Sequence, residues 1–247
     1  TNDGGPLDEE ERLSGRLHVL FDLGPGTDVL FSADATNDNT DGGSRFNLRP
    51  FGDRDVDHPR HANPDWPGYI DRDTGGVKLE LNTDALAFAD FTSVLSYRTL
   101  DYASLEDLDG TDAAGNAAAG LPVTGLQVLQ DEEASSFSFE NRLTSNGDGP
   151  ISWVAGLYYL RDVIDRERET ETAVVDTSEN RFVAHNVTES YAAFGEAEYG
   201  FGQGTNVFAG LRYTSERKEY EVRRLVGNPA APTVNFSTFG DPGISDE

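Results

Sequence analysis

The sequence has no cysteine and no methionine in 247 residues, and only 19 Lys and Arg against 45 Asp and Glu. Each shortage removes a class of function. Without Cys there is no disulfide framework, no Cys-zinc site and no thiol nucleophile. The scarcity of basic residues leaves a net charge of −26, which argues against nucleic acid as a partner, because phosphate binding needs clustered Lys and Arg. It also argues against a peripheral anchor on anionic lipid. No stretch approaches the ~20 apolar residues of a membrane helix. The chain starts Thr1-Asn2-Asp3 and ends Ser245-Asp246-Glu247 without a charged and apolar leader. With Met absent as well, the expectation is a section of a longer protein.

High acidity could signal disorder, but an aromatic content of 10% does not fit that reading. The aromatics fall in segments that alternate apolar and polar residues with period 2, as half-buried strands do. In Arg16 to Leu23, Leu17, Val19, Phe21 and Leu23 share one face; Gly24-Pro25-Gly26-Thr27 then turns into Val29, Phe31, Ala33 and Ala35. Val77, Leu79 and Leu81 lead through a short turn near Thr83-Asp84-Ala85 into Phe91, Leu95 and Tyr97. Phe137, Phe139 and Leu143 precede Asn146-Gly147-Asp148-Gly149-Pro150, and Trp153, Ala155, Leu157 and Tyr159 follow it. Segments 190–201 and 206–226 flank Gly202-Gln203-Gly204-Thr205. The prediction is all-β: an antiparallel up-and-down meander of about eight strands, in hairpins at about 14–36, 75–102, 133–172 and 189–226. The Ala-rich run Asp112 to Gly120 reads as loop.

Turns within hairpins are short, whereas the links between them, 37–74, 103–131, 173–188 and 227–247, are long. A meander with unlike ends has ends in unlike surroundings, as in outer-membrane barrels with short periplasmic turns and long extracellular loops. Several segments exceed the ~9–11 residues that span a membrane. Trp153, Tyr158, Tyr159, Tyr191, Tyr199 and Tyr213 lie near strand ends, as an interfacial girdle would.

Five segments, in order, resemble barrel strands of TonB-dependent outer-membrane receptors. They are Leu13-Ser14-Gly15-Arg16-Leu17, Ser136 to Ser145 (SFSFENRLTS), Ser152 to Tyr159 (SWVAGLYY), Ser190 to Ala197 (SYAAFGEA) and Ala209 to Lys218 (AGLRYTSERK). The resemblance implies an open, curved section of a transmembrane β-barrel in the bacterial outer membrane. The family's whole barrel has 22 strands around an N-terminal plug, and eight strands cannot close it. The chain lacks the plug, the energy-coupling box and a C-terminal aromatic strand. What is implied is a part of an active transporter for a scarce nutrient such as a ferric siderophore. Its partners would be outer-membrane lipid, a small iron chelate or similar ligand, and the TonB energy-transducing complex through the absent N-terminal region. The resemblance implies no enzyme and no cofactor.

Within that frame the first long loop carries the ligand candidates, His58, His61, Trp66 and Tyr69, whose imidazole and aromatic groups suit a planar chelate. His58 and His61 lie three apart beside Asp57, but Pro59, Pro64 and Pro67 preclude a helix presenting both, so no metal site is assigned. Asn37-x-Asn39-x-Asp41-Gly42 starts like a calcium loop, yet its twelfth position is Leu48 rather than Glu. Arg98, Glu140, Arg142, Glu196, Glu198 and Arg212 fall on polar faces and would point into a lumen. The mixed-charge run Arg161 to Glu171 reads as cross-strand ion pairs or as vestibule lining. No G-x-S-x-G elbow, P-loop or dinucleotide fingerprint is present, so no catalytic residue is assigned.

Two other architectures fit the alternation. A self-contained eight-stranded outer-membrane barrel, structural or adhesive, requires the first strand to pair with the last. A soluble extracellular β-sandwich binding sugar or calcium requires Leu17, Val19, Phe21, Trp153, Leu157 and Leu211 to be buried against a second sheet.

Overall fold

The computed structural model describes residues 9–42, 66, 68–110, 112–118, 120, 125–147, 149–172, 179–202, 204–228 and 231–233. Eight long strands form the meander: β1 (Glu10–Gly24), β2 (Thr27–Asp41), β3 (Tyr69–Leu86), β4 (Ala89–Asp107), β5 (Leu126–Ser145), β6 (Ile151–Thr172), β7 (Glu179–Gly200) and β8 (Asn206–Asn228). A three-residue strand, β9 (Ala231–Thr233), adds to β8, and a helix of one and a half turns, α1 (Ala113–Ala118), lies between β4 and β5. All nine strands form one antiparallel sheet in sequence order, each hydrogen-bonded to its predecessor.

The strands run further than hydropathy suggested, because β4 continues to Asp107, β5 begins at Leu126 and β7 begins at Glu179. These extensions mix apolar, polar and charged residues on both faces, so they carry no sustained apolar alternation to mark them. Two local readings change. The Ala-rich run forms α1 rather than loop, started by the Asp112 carboxylate, which accepts the Gly115 N–H at 2.8 Å. The second hairpin turns at Ala87 and Phe88, while Asp84 and Ala85 fall at a register irregularity inside β3. Gly26, at φ +68°, has its carbonyl accept the Asp84 N–H at 2.8 Å, and a Cβ there would collide with the Asp84 carboxylate.

From β1 to β8, cross-strand partners share parity everywhere except at the hairpin ends Gly24↔Thr27 and Leu86↔Ala89. Odd-numbered residues therefore occupy one face of the whole sheet and even-numbered residues the other. The odd face carries Leu17, Val19, Phe21, Val77, Leu79, Leu95, Tyr97, Phe137, Phe139, Leu157, Tyr191, Leu211 and Tyr213. No second layer covers it among the described residues: Leu17 is 54% exposed, Leu157 62% and Leu211 81%.

Both alternative architectures are thereby overturned. Among the described residues β1 pairs only with β2, so the eight long strands do not close into a barrel. The residues that a sandwich would bury lie on an uncovered face of a single sheet.

Candidate functional site

On the even face, glycines make room for long side chains to cross strands. Arg98 on β4 lies over Gly76 of β3 and donates to both carboxylate oxygens of Asp34 on β2, at 2.9 and 3.2 Å. A Cβ on Gly76 would sit 2.8 Å from the Arg98 Nη1. Phe194 lies over Gly156 in the same way, and the Arg212 guanidinium stands 5.6 Å from the Phe194 ring centroid and 5.9 Å from that of Tyr158. Arg212 also donates to Thr214 Oγ1 at 3.2 Å. Glu140 and Arg142 approach only to 3.7 Å. Glu196 packs against Gly210, and neither it nor Glu198 has a hydrogen bond or ion pair among the described residues. The six polar residues singled out in the sequence thus share one face without forming one network.

Beyond the apolar part of β1–β3, Asp38 is 2% exposed and sits between two guanidiniums. Arg12 donates to its Oδ2 at 2.7 Å, Arg72 donates to the same oxygen, and the Thr40 hydroxyl donates to Oδ1 at 2.9 Å. The Arg12 hydrogen bond, followed by those of Thr40 and Arg72, holds the Asp38 pKa down at about 2, against the opposing effect of burial. The short-range sequence pattern did not single out this clamp, because its members lie 26 and 34 residues apart.

A second feature lies on the even face of the β5–β8 extensions. Three cross-strand rows stack there: Ala134–Ile164–Asn186–Tyr220, Glu132–Arg166–Ala184–Val222 and Gln130–Arg168–Phe182–Arg224. They surround a hollow of about 360 Å³ lined by Ile164, Arg166, Arg168, Phe182, Tyr220 and neighbouring side chains. Arg166 is anchored by the Glu132 carboxylate at 2.6 Å. The Arg224 guanidinium stands 5.7 Å from the Phe182 ring centroid. Arg168, beside Phe182 on the other side, has no hydrogen bond or ion pair among the described residues. Phe182 and Tyr220 are the exposed aromatics on the even face of these extensions among the described residues.

The opposite face of the same extensions is acidic and self-paired. Asp165 meets His185 at 2.6 Å, Glu167 meets Arg181, Glu219 meets Arg217 at 2.6 Å and Glu221 meets Arg223. The run Asp165-Arg166-Glu167-Arg168-Glu169 alternates in sign with period 2, so a strand sends its cations to one face and its carboxylates to the other. That signal was present in the sequence. What could not be read there is the register that brings Phe182 and Tyr220 to Arg168.

A larger hollow, about 690 Å³, includes the odd-face surface over Ala35, Gly75 and Thr99. Its rim includes Asp73, Asp101, Glu133 and Asp165, which oppose one another in one cross-strand row.

The loop candidates fare differently. His58 and His61 lie outside the described residues. Trp66 is half-buried in the link before β3. Tyr69 is not in a loop: it is the first residue of β3, paired with Asp41 and Leu105. No ring contact joins it to Trp66 among the described residues. Near α1, the fully buried Asn116 side chain donates to Asp109 Oδ2 at 2.8 Å. No group of three or more His, Asp or Glu among the described residues converges as a metal site.

No family model matches the chain. Among solved structures, the ferric yersiniabactin uptake receptor FyuA from Yersinia pestis is similar to it, with a TM-score of 0.68 at 12% identity over 95% of this chain. The chain spans 34% of that receptor's length. At this identity the likeness is one of fold: an all-β, open antiparallel sheet similar to part of a β-barrel receptor. The neighbour is an uptake receptor rather than an enzyme. No helix among the described residues is long and apolar enough to cross a membrane, which says nothing about a crossing by strands.

Proposed function

We propose that the chain is a section of barrel wall, with outward loops, of a TonB-dependent outer-membrane transporter that imports a small iron chelate or similar ligand. One observation carries the membrane reading: the aromatic rows on the odd face are not parallel to the hydrogen-bonded rows. Tyr97 pairs with Phe137, and Tyr159 pairs with Tyr191 one row nearer the short turns. Tyr213 lies one row nearer still, opposite Ala193. The rings form a chain, with centroids 6.1 Å apart for Phe137 and Tyr159 and 4.9 Å for Tyr159 and Tyr191.

The line slips four residues over the four strand steps from β4 to β8. At about 3.3 Å per residue and about 4.8 Å per strand, the slope is roughly 35°. A flat membrane interface cutting strands tilted by about 35–45° draws this line. A second aromatic level, Trp153 and Tyr199, lies near the short turns, with Tyr199 eight residues beyond Tyr191. Eight residues of strand at that tilt rise roughly 22 Å, close to the ~25 Å apolar band of outer-membrane barrels.

In this reading the odd face meets lipid, the even face lines the interior, and the long links lie outside the cell. The likeness to FyuA supports the transporter class, and the even-face arginines and aromatics support a ligand-facing wall.

The test uses the full-length parent protein in a Gram-negative host. It is expected in the outer-membrane fraction, where it supports uptake of radiolabelled iron chelates that stops when the inner-membrane energy-transducing complex is deleted. Recovery in the soluble fraction, or uptake indifferent to that deletion, overturns the proposal.

A further inference from the structure

We infer that the even-face hollow over β6–β8 is a binding site for a small ligand that carries several negative charges and an aromatic ring. This deepens the transporter reading, because it takes the even face as the barrel interior. A chain of net charge −26 would be expected to draw cations. The extensions reverse that expectation locally. Asp165, Glu167, Glu219 and Glu221 go to the odd face, where Arg181, Arg217 and Arg223 pair with the three glutamates and His185 meets Asp165. Arg166, Arg168 and Arg224 go to the even face, with Glu132 as the carboxylate paired to Arg166.

The three guanidiniums have different settings. Arg166 is positioned by Glu132, Arg224 is stacked near Phe182, and Arg168 keeps its donors open toward the hollow. Arginine donors in this fork geometry match carboxylate, phenolate or phosphate oxygens. Phe182 is flanked in its row by Arg168 and Arg224, so a ring laid on it meets cations at its rim. Tyr220 presents a second ring two rows away, and Ala184 and Val222 form the low floor between them. The hollow, about 360 Å³, suits one small molecule.

The test is equilibrium dialysis of three radiogallium complexes against the full-length parent protein in detergent. The probes are a trianionic hexadentate tris-catecholamide complex, a neutral tris-hydroxamate complex bearing phenyl groups, and a neutral aliphatic tris-hydroxamate complex. The trianionic complex is expected to bind at least about tenfold more tightly than the neutral phenyl one, with the preference shrinking at high salt. Arg168→Gln is expected to weaken the trianion about tenfold and leave the neutral complexes unchanged. Phe182→Leu is expected to weaken both aromatic complexes and spare the aliphatic one. Arg217→Gln, on the opposite face of the same extension, is expected to change none of the three. Each variant's unfolding temperature is measured alongside, so a folding defect is recognised.

Equal affinity for the trianionic and neutral aromatic complexes overturns the inference. So does full trianion binding by Arg168→Gln, the result if another segment of the parent chain covers the patch. Dialysis needs no energy source, so its outcome is independent of the uptake experiment. Binding without energised uptake overturns the transporter, and energised uptake without this charge preference overturns the site.

Discussion

Asp38 joins three strands through one carboxylate, and its chemistry sets a pH dependence. Its folded pKa, about 2, lies below the ordinary Asp value of about 3.9. A depressed acid contributes stability that is fully present above its unfolded pKa and lost as pH falls through its folded one. This contribution to the β1–β3 extension is therefore expected to be full above about pH 4 and to fall away progressively as pH drops toward 2. Amide exchange of residues 10–13, 37–40 and 69–73 measured against pH checks this. In Asp38→Asn the acid step disappears and the same amides exchange faster at neutral pH, because Arg12 and Arg72 lose the carboxylate between them. Gly156 gives a second prediction at this scale. A Cβ there would lie 2.8 Å from the Asn141 carbonyl and 2.4 Å from Phe194 Cζ. Gly156→Ala is expected to destabilise by about 1–3 kcal/mol, with partial rescue by Phe194→Leu, since the backbone contact remains. Gly195→Ala, whose Cβ would sit 3.5 Å from its nearest neighbour, is the neutral control. Thermal unfolding of the full-length protein in detergent reads all three.

Elements were legible wherever apolar and polar residues alternate. Leu17 to Phe21 and Trp153 to Tyr159 show a strand because one face avoids water and the other does not. The same test is blind in Asp131 to Ala134 or Arg181 to Asn186, where neither face is consistently apolar, so the strand ends there came only from pairing. The site was partly legible for the same reason. Sign alternation in Asp165 to Glu169 places cations on one face, but nothing local says that Phe182 and Tyr220, on two later strands, share it. Register also creates a cost. Asp101 faces Asp73 on one side and Glu133 on the other, and like charges directly opposite are destabilising. Asp101→Asn is expected to stabilise the sheet by about 0.5 kcal/mol at low salt. The gain should shrink as salt screens the row. An unchanged or lowered unfolding temperature at low ionic strength would show that the row is relieved by other means.

At the scale of the whole molecule, the odd face changes from apolar to charged along the strands, and the level of that change separates a membrane wall from any other open sheet. On β6 the odd face carries Trp153, Leu157 and Tyr159 and then turns charged from Arg161, while the even face of the same extension carries Arg166 and Arg168. The chain contains no cysteine, so single-cysteine spin labels report without competition from within it. Labels at 153, 155, 157 and 159 are expected to be open to oxygen dissolved in lipid, and labels at 154, 158 and 160 to a water-soluble nickel chelate. From 161 onward, odd positions should become water-accessible as well. The decisive comparison is across strands. The change should fall after Tyr97 on β4, after Tyr159 on β6 and after Tyr213 on β8, which lie on three successive rows. A sheet lying flat against some other apolar body would instead change along one hydrogen-bonded row, that of Tyr97, Phe137, Arg161, Glu189 and Arg217. The slope of about 35° is thus a measurable property, and a flat boundary would remove the membrane reading while leaving the sheet itself intact.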